Sequence, residues 1–339
     1  MNIVTCGIDL AKSIFQVHGV DENDEVVARK KLSRAKFLAF FVKLTPCLIG
    51  MEACASAHHW ARELTRLGHT VRLMSPQHVK PYIKGNKNDA NDAAGICEAV
   101  SRPSMRFVGA KTQEQQGMLM LHRIRSQKVK NRTALVNQIR GLLAEYGEVL
   151  PVRITQLRKG LVHLLTQENC KNLSEMAKRN FYELYEDLLV LDDQIERVEK
   201  ELMTTSKQNQ DCQRLMTLPG VGWITASALV AHIGDISQFK NGRELSAYIG
   251  LVPRQHSSGG KNILLGISKR GDAYLRTLLV HGARSVLKYS EKKEDKDNLW
   301  LKQIAERRGK NKAVVAQANK TTRKVWALLT HQTTYRQAV

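Results

Sequence analysis

The chain has 339 residues, 42% of them hydrophobic, and carries 53 Lys and Arg against 32 Asp and Glu, for a net charge of +21. No stretch approaches the roughly 20 apolar residues that a membrane span needs, and the first residues lack the basic and apolar regions of a signal peptide. We therefore expect a cytoplasmic protein without membrane segments, and the positive charge favours a polyanionic partner, most commonly a nucleic acid.

The cysteines are spread along the chain, and no two of them form a C-x-x-C pair. This spacing argues against a zinc site and suits a reducing compartment. The six positions are Cys6, Cys47, Cys54, Cys97, Cys170 and Cys212.

The first hundred residues alternate between strand and helix patterns. Apolar runs predict strands over residues 3–8, 14–20, 25–32, 47–51 and 70–74, and helices over 35–43 and 58–67. Three strands, a helix, a strand, a helix, a strand and a helix match the order of a ribonuclease H-like sheet. The sequence therefore predicts an α/β domain at the N-terminus, followed by mainly helical regions.

Four acidic residues stand out in this domain. Asp9 and Glu52 follow apolar strands, and Asp89 and Asp92 lie three apart, on one face of a predicted helix. Carboxylates that converge beside a core need compensation, and Mg²⁺ bound by them could act on a phosphodiester. The alternative is structural, with Asp89 capping the helix and Asp92 favoured by its dipole. Nearby cations that could hold phosphates are Lys84, Lys87 and Arg102.

The central region, 113–210, is poor in Gly and Pro and predicts two long helices folded back on each other. Its second helix carries a heptad seam that runs from Phe181 to Leu202. Such a seam can pack inside one chain or join two chains, and the sequence leaves both open. The seam residues are Phe181, Leu184, Leu188, Leu191, Ile195, Val198 and Leu202.

From residue 211 onward, glycines and basic residues gather in a third region that extends to residue 339. The stretch Leu218-Pro219-Gly220-Val221-Gly222 precedes a predicted helix that starts at Trp223, as in a helix–hairpin–helix motif. Gly220 and Gly222 would let the backbone approach a phosphate of DNA. The alternative is an ordinary tight turn.

A second loop in this region contains Ser257-Ser258-Gly259-Gly260. Ser258 could be a nucleophile, or it could only donate a hydrogen bond in a phosphate-binding loop. Basic residues on both sides could bind a nucleic acid; they are Arg254, Lys261, Lys269, Arg270 and Arg276.

Together these motifs resemble one family over nearly the whole chain. Gly7-Ile8-Asp9, Gly50-Met51-Glu52 and the segment 88–93 look like the RuvC-like nuclease domain of DEDD transposases from the one-ten insertion-sequence family, with its eleven-eleven branch. The blocks at 218–222, 250–254, 258–260 and 267–276 resemble its C-terminal transposase domain. The resemblance implies a RuvC-like domain over 1–112, a coiled-coil domain over 113–210 and a transposase domain over 211–339.

The resemblance also implies a mechanism. Members of this family are recombinases guided by a bridge RNA that pairs with donor and target DNA. The family's catalytic serine maps to Ser258, with Ser257 adjacent, and would form a covalent phosphoserine, while Asp9, Glu52 and the Asp89–Asp92 pair would bind Mg²⁺. Active sites shared between subunits imply a dimer, and a tetramer on DNA. The competing hypotheses are a metal-dependent junction-resolving endonuclease without a covalent intermediate, and a non-catalytic nucleic-acid-binding protein.

Overall fold

The computed structural model describes residues 2–85, 88–166 and 172–336. Lys87 and Cys170, named above, lie outside the described residues. The chain divides into two compact units, an N-terminal unit of Met1–Gln115 with Ile233–Lys240 and a C-terminal unit of Gln116–His232 with Asn241–Val339. The division into three domains with boundaries at 112 and 210 stays a prediction.

A single sheet organises the N-terminal unit, with the strand order β3-β2-β1-β4-β5-β6. β2 is antiparallel to β1 and β3, β4 is parallel to β1 and β5, and β6 is antiparallel to β5. The predicted mixed α/β sheet is confirmed. The strands are β1 Thr5–Leu10, β2 Ile14–Val20, β3 Val26–Ser33, β4 Leu48–Glu52, β5 Thr70–Met74 and β6 Phe107–Val108, and the helices are α1 Phe37–Phe41, α2 Ala57–Arg66, α3 Pro76–Val79 and α4 Asp89–Val100.

Side chains alternate between the two faces of this sheet. Ile8 and Met51 are fully buried in a core with the aromatic side chains of β2, α1 and α2. In that core the Phe37 ring lies 4.8 Å from the Phe15 ring and 4.9 Å from the Trp60 ring, both edge-on. The opposite face is therefore the one available to α4.

Two predicted elements differ from the structure. Asp9 lies inside β1 rather than after it, because β1 stays paired with β2 as far as Leu10 opposite Phe15. The helix expected over 35–43 is a 3-10 turn, Arg34–Lys36, followed by the five-residue α1. Ser33 precedes this turn without making a side-chain capping hydrogen bond, so the helix start lacks the stabilisation a cap gives.

The remainder of the chain is mainly helical, as expected. No described helix is both long and apolar enough to cross a membrane. The helices are α5 Gln113–Glu145, α6 Ile154–Thr166, α7 Glu175–Gln208, α8 Gln210–Met216, α9 Trp223–Ile233, α10 Gly242–Ile249, α11 Ala273–Ser290, α12 Lys296–Arg308 and α13 Lys310–His331, and one two-stranded hairpin is formed by β7 Pro253–Gln255 and β8 Leu264–Ile267.

The heptad seam lies on α7, and every seventh residue of it is buried within the chain. Phe181 and Leu188 pack with residues of α5 and of α6, a helix that the sequence reasoning missed. Leu202 packs with Met118 of α5. This half of the seam is used inside the C-terminal unit, and its role in self-association stays a prediction.

Candidate active site

A glycine brings β1 and α4 into backbone contact. A Cβ atom on Gly7 would lie 2.2 Å from the carbonyl oxygen of Ala93, so only glycine fits there. Asp9 follows Gly7 by two residues on the same face of the strand, and Asp92 directly precedes Ala93. The close approach therefore places Asp9 next to the first turn of α4.

A second glycine does the same for β4. A Cβ atom on Gly50 would lie 2.7 Å from the Val100 Cβ atom at the end of α4. Gly7 pairs with Gly50 in the parallel register of β1 and β4, and the two acids follow these glycines at the same distance along their strands. Asp9 and Glu52 are thus side by side at the carboxyl ends of adjacent strands.

The first turn of α4 carries the other two acids. Asn88 is the N-cap, since its side chain accepts a 3.0 Å hydrogen bond from the backbone N–H of Ala90. The alternative in which Asp89 caps the helix is therefore wrong. Asp89 is exposed, and Asp92 is half-buried.

The electrostatics show that three of these carboxylates are neighbours. Burial raises the pKa of Glu52, and the negative charges of Asp9 and Asp92 raise it further. Like charges that disfavour each other's ionisation in this way must lie close together. The structure thus brings Asp9, Glu52 and Asp92 together, with Asp89 on the same first turn of α4.

The donor chemistry of this cluster fits Mg²⁺, which prefers carboxylate oxygens. A divalent cation would also relieve the repulsion that raises the pKa of Glu52. Within the described ranges, however, no three or more His, Cys, Asp or Glu side chains are arranged closely enough to hold one metal ion. The carboxylates are neighbours but are not in coordinating geometry.

The two candidate serines lie in the loop of the β7–β8 hairpin, and the structure distinguishes them. The Ser257 hydroxyl accepts hydrogen bonds from Gln255 Nε2 at 3.0 Å and from the backbone N–H of Ile263 at 3.3 Å. Ser258 is exposed, and its hydroxyl makes no hydrogen bond to any described residue. Ser257 therefore stabilises the hairpin, and Ser258 has its hydroxyl available.

Four cations accompany this loop in the chain, namely Arg254, Lys261, Lys269 and Arg270. All four side chains are exposed, and none forms an ion pair with a described residue. Their charges are therefore available to a phosphate.

Comparisons with known proteins decide the family. The family model described as "Transposase IS116/IS110/IS902 family" matches residues 212–297, and the transposase model DEDD_Tnp_IS110 matches residues 6–148. A "Probable family 20 transposase" of Pseudomonas aeruginosa is 49% identical, with 99% of both chains covered. The chain belongs to the IS110 family of transposases.

Two insertion-sequence transposases give the same result. The transposase of IS1111A from Coxiella burnetii is 50% identical over 99% of this chain and 92% of its own length. The transposase of IS1328 from Yersinia enterocolitica is 40% identical, with 98% of this chain and 99% of its own length covered. The chain is accordingly a DNA transposase over its full length, and the matched range 6–148 contains all four acids.

In this IS110-family transposase the fifth cation of the hairpin has a different role. Arg276 Nη1 donates to the backbone carbonyls of Ile249 at 3.0 Å, Arg270 at 2.9 Å and Gly271 at 3.0 Å. Gly250, with φ +82°, lies so close that a Cβ atom there would be 2.0 Å from the Arg270 oxygen. Arg276 therefore braces the base of the hairpin, a structural role that the sequence alone does not separate from phosphate binding.

The two glycines of the 218–222 turn also differ. Gly220 has φ +80°, and a Cβ atom on it would lie 2.6 Å from the carbonyl oxygen of Gly282 in α11. The packing of Gly220 against α11 is therefore sufficient by itself to require glycine at this position. A Cβ atom on Gly222 would meet nothing within 4 Å, so that backbone is open to a ligand, and α9 begins at Trp223 as predicted.

Sequence reasoning missed a buried histidine that fixes the start of α11. His122 of α5 accepts from the Tyr274 hydroxyl at 3.1 Å and donates through Nε2 to Ser227 Oγ at 3.0 Å, since the Ser227 hydroxyl donates to the Trp223 carbonyl. Burial, and then the charge of Arg125, lower its pKa to about 4, so it stays neutral at neutral pH. The sequence offered one indication that His122 is buried, because it lies four residues after Met118, on the same face of α5.

Proposed function

We propose that this transposase is an RNA-guided DNA recombinase that cuts and rejoins DNA through Ser258, assisted by Mg²⁺ bound to Asp9, Glu52, Asp89 and Asp92. The observation that carries the proposal is the convergence of three carboxylates, from the carboxyl ends of β1 and β4 and the first turn of α4, which raises the pKa of Glu52. A cluster of this kind is costly to fold and suits a cation site.

The hydroxyl of Ser258 has the properties that a nucleophile needs. It is exposed and makes no hydrogen bond to the described residues, and Gly259 and Gly260 leave open space beside it. Its oxygen would lose its proton and bond to phosphorus as the bond from phosphorus to a sugar oxygen breaks, and the sugar oxygen would leave as a hydroxyl. Arg254, Lys261 and their neighbours would stabilise the added negative charge. A bound Mg²⁺ would polarise the phosphate.

Guidance by RNA would supply the sequence specificity. The net charge of +21 suits binding of two nucleic acids. Contacts between the cations of the β7–β8 hairpin and nucleic-acid phosphates would carry no information about base sequence. The family resemblance implies a bridge RNA that pairs with donor and target DNA, with the protein reading backbone and shape. It also implies assembly of several copies of the chain on DNA.

A junction-resolving endonuclease without a covalent intermediate is the second candidate. It is favoured by the fact that the carboxylate cluster is built entirely within the N-terminal unit, from β1, β4 and α4. Two carboxylate-bound metals can hydrolyse a phosphodiester with water alone.

Trapping of a covalent protein–DNA adduct separates the two candidates. Under the proposal the wild type forms the adduct, Ser258→Ala loses both adduct and recombination, and Ser257→Ala keeps both with a lower melting temperature. Asp92→Asn should lose activity by several kcal/mol of transition-state stabilisation, roughly a thousandfold. The exposed Glu22→Gln is the matched control and should be unchanged.

Each part of the proposal has its own contrary outcome. An adduct that survives Ser258→Ala would move the nucleophile, and cut ends without any adduct would favour the endonuclease. Nuclease-treated protein should recombine only after the guide RNA is returned. Recombination at one defined site without RNA would exclude guidance.

A further inference from the structure

A cavity of about 450 Å³ lies in the C-terminal unit, directly beside the 218–222 turn. Leu218, Pro219 and Gly220 form one wall, and Val286 and Tyr289 of α11 form another. The volume is in the range of cavities that enclose a small molecule. Because the open backbone at Gly222 makes this turn a candidate contact for DNA backbone, the cavity is placed to receive part of the same strand.

Three polar side chains that are more than nine-tenths buried line this cavity: Asn298, Gln317 and Thr321, with exposures of 8%, 7% and 6%. Gln317 Nε2 donates to Thr321 Oγ1 at 3.2 Å, and the Asn298 amide nitrogen donates to Asp295. The amide oxygens of Asn298 and Gln317 accept no hydrogen bond from a described residue. Neither oxygen is among the fully buried unpaired atoms, so both keep some solvent access and suit a ligand that donates.

The charge of Asp297 is neutralised from within the protein, and Asp295, the other acid that lines the cavity, accepts hydrogen bonds from Asn298. Lys320 donates to Asp297 Oδ1 at 2.8 Å, Lys324 contacts Asp297 Oδ2, and the Tyr335 hydroxyl donates to the same oxygen at 3.0 Å. At the mouth, Lys292 and Lys293 are exposed and form no ion pair with the described part of the chain. The interior therefore suits an uncharged polar group, and the mouth suits an anion.

Aromatic rings complete the site. Tyr289 is 60% exposed and lines the cavity, as does Tyr335 at the other side. Tyr335 is fixed there because its backbone N–H donates to Thr217 Oγ1 at 2.9 Å, next to the turn. A flat uncharged group with N–H donors, attached to phosphates on both sides, matches this combination, and a nucleobase in a strand is such a group.

We propose that this cavity receives one DNA base that is unstacked from a duplex lying on the 218–222 turn. The inference rests on the proposed function, since it requires a DNA substrate, and it goes further by placing that DNA at the turn. The amide oxygens of Asn298 and Gln317 accept from the base, Tyr289 stacks on it, and Lys292 and Lys293 bind the flanking phosphates. DNA is chosen over guide RNA because DNA is what a transposase must distort and rejoin.

The test uses the full chain with guide RNA and duplexes that span the junction between the element end and its flanking DNA. Each duplex carries 2-aminopurine, which fluoresces when unstacked, at one of several successive positions. With wild-type protein we expect the 2-aminopurine fluorescence to rise at one position. We expect Tyr289→Ala and Gln317→Met to abolish this rise. Tyr289→Ala should also weaken DNA binding roughly tenfold, through loss of stacking. Tyr182→Ala, a 54% exposed tyrosine on α7, is the matched control.

The outcomes separate this inference from the proposed function. Adduct formation and DNA binding without any fluorescence rise, or a rise that persists in both cavity variants, would overturn the base pocket and leave the recombinase intact. A rise only when the label is in the guide RNA would overturn the choice of DNA. A wild type that binds no DNA would overturn both. A rise lost only in the cavity variants, with adduct formation still possible in them, supports the pocket.

Discussion

The acid cluster and the serine hairpin, which carry the two sets of candidate catalytic residues, are built in contrasting ways. The acids lie on strands and a helix whose backbones touch, with Gly7 against Ala93 and Gly50 against Val100. Ser258 lies in a two-stranded hairpin in which Pro253, Arg254 and Gln255 are all exposed and Leu264 is 67% exposed. One part is fixed by core packing, and the other is supported mainly by its own turn and by the brace at its base.

The contrast indicates how the activity can be controlled. A packed scaffold holds carboxylates in place before substrate arrives, whereas an isolated two-stranded hairpin is marginally stable in water. The exposed cations around Ser258 also repel one another until phosphates bind. We therefore expect nucleic acid to order the serine hairpin, while the acid cluster is already ordered in the free protein.

The largest effect should come from a single methyl group at the packed site. Gly7→Ala places a Cβ atom 2.2 Å from a backbone oxygen of α4, which cannot move without displacing the helix. We expect a loss of about 3 kcal/mol in the free energy of unfolding, together with loss of recombination. Chemical denaturation measures the first, and strand-transfer assays measure the second.

The matched substitution in the hairpin is Gly259→Ala. A Cβ atom there meets nothing within 4 Å, and the only cost is the positive φ of 53°, about 1 kcal/mol. An equal loss of stability in the two variants would contradict the contrast between packed site and open hairpin.

A pair of arginines tests the hairpin from within. Arg276→Ala removes hydrogen bonds to three carbonyls and should cost about 2 kcal/mol, with faster amide exchange along β7 and β8. Arg270→Ala removes only an exposed side chain and should lower nucleic-acid affinity without changing exchange in the free protein. The idea of a braced hairpin fails if Arg276→Ala leaves exchange unchanged.

Strands and long helices were predictable because they depend on local patterns. The β2 and β5 strands follow directly from apolar periodicity and turn residues, and the long helices of the central region follow from its scarcity of Gly and Pro. The sequence also indicated the acids, since Asp9 and Glu52 adjoin apolar strand patterns and Asp89 and Asp92 lie three apart on one helix face. The reason for the glycines two residues before Asp9 and Glu52, contact with α4, needed the structure.

Other features depend on contacts between distant residues and could not be read from the chain. The helix α6 covers Phe181 and Leu188, so a seam that looked available for a partner is partly used inside the monomer. Arg276 and Arg270 have the same side chain in one basic cluster, yet only Arg276 finds three carbonyls to bind. Ser257 and Ser258 are adjacent and chemically identical, and only the hydrogen bonds of Ser257 distinguish their roles.

The smallest effect concerns the charge of Glu52, and it tests whether the packed site is strained by repulsion. Burial and the charges of Asp9 and Asp92 raise its pKa above the ordinary value of a glutamate. A carboxyl whose pKa is raised on folding contributes stability below the unfolded pKa and loses it as pH rises through the folded pKa. In chelator, the melting temperature of the wild type should therefore fall relative to that of Glu52→Gln as pH rises from the unfolded to the folded pKa of Glu52. Above the folded pKa the two melting temperatures should run parallel.

At neutral pH we accordingly expect Glu52→Gln to melt a few degrees higher than wild type at most, because Glu52 is only half-buried and solvent screens the repulsion. Mg²⁺ should reverse the order, since the metal binds the ionised carboxylate and stabilises only the wild type. The measurement is differential scanning fluorimetry across pH, with chelator and with Mg²⁺. A variant that melts below wild type in chelator would show that these carboxylates do not repel one another, and the cluster would then lose its main support as a metal site.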